Sequence, residues 1–200
     1  MLQKLKMYIK KFIKFILKKL GYRLIKLKKP SDNLKYSLKD SESLKAINNS
    51  KGILHLGAHK GTEAEVYNWF GKKVIWIEAN PYVYDQLLEN IYQYKNQQAY
   101  SVLLGDQDDI KKNFNISSND GASSSIFKFS KNTLSKKYFP NRNLKMEKKI
   151  LLIMNKLDTI FERNKIIASE YDHWVVDLQG AELMALRGAI KLCKIVNRCL

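Results

Sequence analysis

Five short apolar runs, separated by polar or helix-period segments, set the order of this chain. The first, Ile53-Leu54-His55-Leu56, stops at a glycine-spaced turn, Gly57-Ala58-His59-Lys60-Gly61. A helical pattern follows over Glu63 to Phe70, and then a second run, Val74 to Ile77, ends on the acid Glu78. Runs of four to six apolar residues bounded by turn signals predict buried strands. Asn80-Pro81 opens the next helix, with Tyr82, Leu87, Leu88, Ile91 and Tyr92 as its apolar stripe. Asn96-Gln97-Gln98 breaks that helix, Ala99 to Leu104 reads as a third strand, and Gly105-Asp106 ends it.

The alternation of strand and helix loosens between residues 107 and 147. Phe114-Asn115-Ile116 and Ser125 to Phe129 alternate weakly and predict a hairpin. The polar run Asn119 to Ser124 between them reads either as a loop over a site or as a solvated turn. Tyr138-Phe139-Pro140 and its basic surroundings read as a surface excursion. Lys149 to Met154 is the next strand, and Leu157 to Phe161 opens a short helix with Asp158 in its first turn, where a negative charge is favourable. Trp174 to Val176 is the fifth run. It ends in Asp177-Leu178-Gln179-Gly180-Ala181-Glu182, and the helix after it, Glu182 to about Lys194, is expected to turn Leu183, Leu186, Ile190 and Cys193 inward.

This order predicts an α/β fold, a Rossmann-like doubly wound and mostly parallel sheet between two helical layers. Residues 51–200 would form that domain, 30–50 a polar linker with a short helix over Ser41 to Ile47, and 1–29 a separate basic helix. Open α/β sheets bind ligands beyond the carboxyl ends of their strands. His55, Glu78, Asp106 and Asp177 all stand at such ends. The glycine turn lets backbone N–H groups approach a ligand closely, with a helix N-terminus behind it. Glu78 follows Gly61 by seventeen residues, where an acid accepts hydrogen bonds from ribose hydroxyls.

Charge changes the picture at one end only. Of the net +17, residues 1–29 carry eleven Lys and Arg and no acid, which leaves +6 for the other 171 residues. Leu5, Ile9, Phe12, Ile13, Ile16 and Leu20 fall on one helical face, with Lys4, Lys10, Lys11, Lys14, Lys18 and Lys19 mainly off it. No lysine-free run of ~20 residues exists for a membrane span, and no uninterrupted apolar centre of ~7 residues for a signal peptide. Three readings stand: a helix lying on an anionic membrane surface, a helix packed on the domain or a partner, or a nucleic-acid contact. The domain itself gives no reason to expect nucleic acid, since the basicity lies outside it. The two cysteines, Cys193 and Cys199, suit a cytoplasmic protein, and neither they nor the three histidines have zinc spacing, so no metal is expected. Nothing in the sequence speaks to oligomeric state.

Gly57-Ala58-x-x-Gly61, Ile77-Glu78-Ala79-Asn80-Pro81, Lys156-Leu157-Asp158, and Asp177-x-Gln179-Gly180-Ala181-Glu182 followed by Arg187-Gly188-Ala189 together resemble the FkbM-family methyltransferases over residues 50–200. The resemblance implies S-adenosyl-L-methionine as cofactor. It implies that Gly57, Ala58 and Gly61, with His55 and His59, cradle the methionine and ribose part. Glu78 would hold the ribose hydroxyls, Asp106 would lie by the adenine, and Asp177 and Glu182 would face the methyl-transfer centre. The family usually has Asp and Asn where this chain has His55 and His59. Either Asp177 or Glu182 is the expected general base, with His59 and His173 as further candidates; Asp177 could instead cap the following helix. The expected acceptor is a sugar hydroxyl of a polysaccharide or glycolipid, reached by an enzyme held at the inner face of the membrane. The family's sheet goes on to two more strands, whereas only Val196 to Leu200 follow the last helix. A C-terminally short domain is therefore expected, and an inactive domain acting as a membrane-surface binding module is the alternative.

Overall fold

The computed structural model describes residues 42–129 and 144–196. The basic helix of 1–29, the linker up to residue 41, the excursion around Tyr138 and the end from residue 197, with Cys199, lie outside the described residues. Among those described, no helix is long and apolar enough to cross a membrane.

The described residues run α1 (Glu42–Asn49), β1 (Gly52–Leu56), α2 (Ala64–Trp69), β2 (Lys73–Glu78), α3 (Pro81–Ile91), β3 (Gln97–Ser101), β4 (Leu103–Leu104), β5 (Ile110–Ser117), β6 (Met146–Asn155), α4 (Leu157–Arg163), a 3-10 turn (Ala168–Glu170), β7 (His173–Val176), α5 (Glu182–Arg187) and α6 (Ile190–Val196). The central sheet has the order β3-β2-β1-β7 and every pairing in it is parallel. The fold is thus the expected α/β Rossmann-like one. The physical reason lies in β1 and β2, which are buried along nearly their whole length. Strands covered on both faces read as continuous apolar runs, and only helices on both sides can cover them. Period-two geometry then divides the core. Leu54, Leu56, Ile75 and Ile77 pack with Leu157, Phe161, Leu192 and Cys193 from α4 and α6. Ile53, Val74 and Trp76 face the other way, against Ile47, Ala64, Tyr67, Leu87 and Ile91 from α1, α2 and α3.

Three details of the strands differ from the sequence reading. The third strand begins at Gln97, not Ala99. Gln97 is buried because both ends of its amide are satisfied: its Oε1 accepts from Trp76 Nε1 at 3.0 Å and its Nε2 donates to the Ala64 carbonyl at 2.9 Å. The run Ala99 to Leu104 is also not one strand. Val102 donates its N–H to the Glu78 carbonyl at 3.0 Å, and Leu103–Leu104 leave the central sheet for a second one, of order β4-β6-β5. In that second sheet β5 pairs antiparallel with β6, so the expected hairpin with Ser125–Phe129 shrinks to a single bridge, Asn115 to Ser125. β6 takes one edge of β5 with eight paired positions, and the bridge to Ser125 lies on the other.

The helix stripes are narrower than expected. In α3 the row Val83, Leu87, Ile91 is buried, while Tyr82, Leu88 and Tyr92 are exposed, because only one i, i+4, i+8 row meets the sheet. The expected helix from Glu182 to Lys194 is two helices, broken at Gly188-Ala189. Gly188 lies so close to the Gly105 carbonyl oxygen that a Cβ would come within 2.0 Å of it. The break rotates α6 relative to α5. Leu183 and Ile190 turn outward, Leu186 stays half-buried, and the interior row is Ala181, Ala185, Ala189, Leu192 and Cys193. Asp158 is buried in α4, yet its carboxylate serves α6, accepting the N–H groups of Lys191 at 3.0 Å and Leu192 at 3.1 Å.

Candidate active site

The carboxyl ends of β1, β2 and β7 open onto a cavity of about 280 Å³, at the small end of ordinary ligand sites. Its polar wall carries His55, His59, Glu63, Glu78 and Asp177, and its apolar wall Ile77, Ala79, Val102, Leu103, Phe114 and Ile126. The β1 turn is positioned by both neighbouring strands. Gly57 and Ala58 each donate a backbone N–H to the Ile77 carbonyl, at 2.9 and 3.0 Å. On the other side Asp177 donates its N–H to the Leu56 carbonyl at 2.9 Å. Gly57 has φ +85°, and a Cβ there would stand 1.9 Å from the Asp177 carbonyl oxygen. Only glycine fits both the left-handed backbone and the close approach.

Glu78 locks the same turn from below. Its Oε2 accepts the N–H of His59 at 2.7 Å and its Oε1 the N–H of Asn80 at 2.7 Å. His59 is a non-glycine residue at φ +48°, a conformation its N–H bond to Glu78 helps hold. Burial raises the Glu78 carboxyl above its ordinary range, partly opposed by the N–H groups of Asn80 and His59. Each carboxylate oxygen has a second lone pair beyond the one used by the backbone.

His55 sits at the back of the cavity, stacked on Trp76 with ring centres 4.8 Å apart, its Nδ1 3.2 Å from the Tyr67 hydroxyl. Burial lowers its pKa to about 4; the charges of Glu63 and Asp177 oppose the shift and His173 adds to it. The imidazole is therefore neutral at pH 7.

An arch built from residues 117–127 closes the opposite side. Ser117, Asn119, Ser123 and Ser124 hydrogen-bond among themselves, with the Ser117 hydroxyl on Asn119 Oδ1 at 2.6 Å and the Asn119 amide on Ser123 Oγ at 2.9 Å. The arch is tied to both loops that carry site residues. The Asp120 carbonyl meets His59 Nε2 at 3.0 Å and its carboxylate pairs with Lys60, while Ser125 Oγ donates to the Gln179 carbonyl at 2.9 Å. Gly121, Ala122, Ser124 and Ile126 line the cavity from this side. Of the two readings of the Asn119–Ser124 stretch, it is the loop over the site.

The family model for the methyltransferase FkbM domain matches residues 55–199. The chain belongs to the FkbM methyltransferase family. No curated protein and no solved structure matches it. Within this FkbM domain, six of the residues singled out from sequence meet around one cavity: His55, Gly57, Ala58, His59, Glu78 and Asp177. Four do not line it, among them His173, at the start of β7. Gly61 packs on α3, where a Cβ would stand 2.5 Å from Leu87. Asp106 follows β4 beyond the wall formed by Leu103 and Leu104. Glu182 faces the backbone of its own loop, its Oε1 accepting from Leu178 N and Gly180 N, both at 3.0 Å. Partial burial would raise the Glu182 pKa, but the N–H groups of Gly180, Glu182 itself and Leu178 outweigh it and hold the carboxyl below its ordinary range. The Glu182 carboxylate caps its own loop.

Further residues of the FkbM domain line the cavity without having been singled out as site residues from the sequence. Val102 and Leu103 reach the cavity because the chain changes sheets between β3 and β4, and Phe114 because β5 returns beside β6. Gln179 holds the Asp177 carboxylate through its amide, from a left-handed φ of +53°. The Asp177-x-Gln179 spacing was the available signal for that contact.

Proposed function

We propose that this methyltransferase uses S-adenosyl-L-methionine and methylates a sugar hydroxyl of a polysaccharide or glycolipid. The observation that carries the cofactor reading is Glu78: a buried carboxylate on the cavity wall, fixed by two backbone N–H groups and keeping lone pairs for a pair of ribose hydroxyls. The donor set fits such a group elsewhere too. The glycine turn offers a surface no side chain could share, and Val102, Leu103 and Phe114 supply an apolar slot for a flat base.

A bound sulfonium would supply a methyl group to the acceptor oxygen, the thioether leaving with the carbon–sulfur bonding pair. The chain's own residues align the acceptor and exclude water. Asp177, a carboxylate on the cavity wall held in orientation by the Gln179 amide, would take the hydroxyl proton. The arch of 117–127 shields the reaction from one side. Residues 1–29, with their lysines off an apolar face, would hold the enzyme at an anionic surface where lipid-linked glycans are reached.

Calorimetry with S-adenosyl-L-homocysteine tests the cofactor reading; no heat at millimolar ligand would sink it. Asp177→Asn is expected to keep that binding while transfer falls by roughly 10²–10⁴-fold. Transfer at the wild-type rate would remove Asp177 from the mechanism. Liposomes containing anionic lipid test the leader: retention unchanged after deletion of residues 1–29 would refute its membrane role.

A further inference from the structure

We infer that His55 is a fixed hydrogen-bond donor that selects a carboxylate-bearing tail on the cavity's ligand, and that Tyr67, a layer behind it, fixes which nitrogen donates. The inference rests on the cofactor reading above and names the part of the ligand that this wall recognises.

The argument starts at Tyr67. Its ring is buried in α2 against Trp76. Among the described residues its hydroxyl has one hydrogen-bond partner, His55 Nδ1, at 3.2 Å. Burial, reinforced by the charge of Glu63, raises the phenol's pKa, so the hydroxyl keeps its proton. If Nδ1 also carried a proton, the phenol hydrogen would be left buried without an acceptor, which is unfavourable. The favoured arrangement is therefore Tyr67 donating and Nδ1 accepting. A neutral imidazole then carries its proton on Nε2.

Among the described residues Nε2 has no hydrogen-bond partner, yet every sealed side-chain nitrogen and oxygen among them has one. Nε2 is thus not sealed. It reaches open space, and the space that His55 borders is the cavity. A neutral N–H facing a ligand from a buried, stacked ring asks for an acceptor and rejects an ammonium. Burial keeps this ring neutral; Glu63 and Asp177 act against that shift and His173 adds to it. An amino-acid tail meets that requirement through its carboxylate, turned toward His55.

Two measurements on the full chain test this. Long-range proton–nitrogen spectra of histidine-labelled protein read the tautomer of each of the three histidines, with His55→Gln assigning the signal. His55 is expected to stay neutral and protonated at Nε2 from about pH 8 to about pH 5, and Tyr67→Phe to release it into a mixture of tautomers. A proton on Nδ1, or an ordinary titration, overturns the inference. Calorimetry then compares S-adenosyl-L-homocysteine with methylthioadenosine, which keeps the thioether nucleoside and lacks the amino-acid tail. Tyr67→Phe is expected to weaken the first about tenfold and leave the second unchanged. Equal effects on both ligands, or none on either, overturn the inference while the cofactor reading stands. Failure of both ligands to bind the wild-type chain removes the cofactor reading and the tail selection with it.

Discussion

The carboxylate of Glu78 accepts the backbone N–H of His59 at 2.7 Å, joining the end of β2 to the left-handed residue of the β1 turn. One side chain thereby does two things: it holds an unfavourable backbone conformation, and it presents free lone pairs to the cavity. Glu78→Ala leaves the N–H groups of His59 and Asn80 without their acceptor. The expected loss is about 2–3 kcal/mol in urea unfolding. Glu78→Gln keeps one acceptor oxygen but sets an amide N–H against the other donor, so an intermediate loss is expected. A Glu78→Ala chain as stable as wild type would mean that the turn holds itself.

Gly57→Ala probes the other constraint on this turn. A left-handed non-glycine residue costs about 1–2 kcal/mol by itself, and here the new methyl also meets the Asp177 carbonyl at 1.9 Å. Opening of the β1–β7 pair at Leu56–Val176 is the expected consequence, with a stability loss larger than the conformational term alone. Hydrogen exchange at the Asp177 amide, which donates to Leu56, should accelerate in the variant. Wild-type protection at that amide would contradict the account.

Much of this was legible in the sequence because period and punctuation agree in the first half. Ile53 to Leu56 and Val74 to Ile77 are continuous apolar runs ended by Gly57 and Glu78, and burial on both faces follows. The legible part of the site is the part that such runs deliver directly, namely His55, Gly57, Ala58, His59, Glu78 and Asp177. What failed did so where a tertiary contact decided the outcome. Gln97 looks like a helix breaker, yet it is core because Trp76 and Ala64 satisfy its amide. Gly188 looks like a tolerated helix glycine, but its neighbour is the Gly105 carbonyl. Val102 and Phe114 became site residues through a change of sheet that no local pattern encodes.

Asp158 illustrates the same limit and gives a clean stability test. The sequence placed it in the first turn of its own helix; the structure shows its carboxylate capping α6, across the interface, through Lys191 N and Leu192 N. Asp158→Ala removes both acceptors from a buried position. A loss of about 1–2 kcal/mol is expected, with Asp158→Asn retaining part of it. Equal stabilities for Ala, Asn and wild type in urea would deny the cap.

His55 predicts how stability depends on pH. Its pKa is lowered from 6.5 to about 4 in the folded chain, chiefly because burial disfavours the imidazolium. Between those two values the unfolded state binds more protons than the folded state. Stability therefore rises with pH across that window, and is lost as pH falls through it. The full contribution is present above pH 6.5; by about pH 4 the shift corresponds to a loss of about 3 kcal/mol. Carboxylates titrate over the lower part of the same range, so the comparison must be made against a variant that lacks only this group. His55→Gln is expected to flatten the fall between about pH 6.5 and about pH 4.5, where most carboxylates are already ionised. Parallel pH profiles for the two proteins would show that His55 protonates without strain in the folded chain, and that its buried, Tyr67-bonded environment does not disfavour the charge.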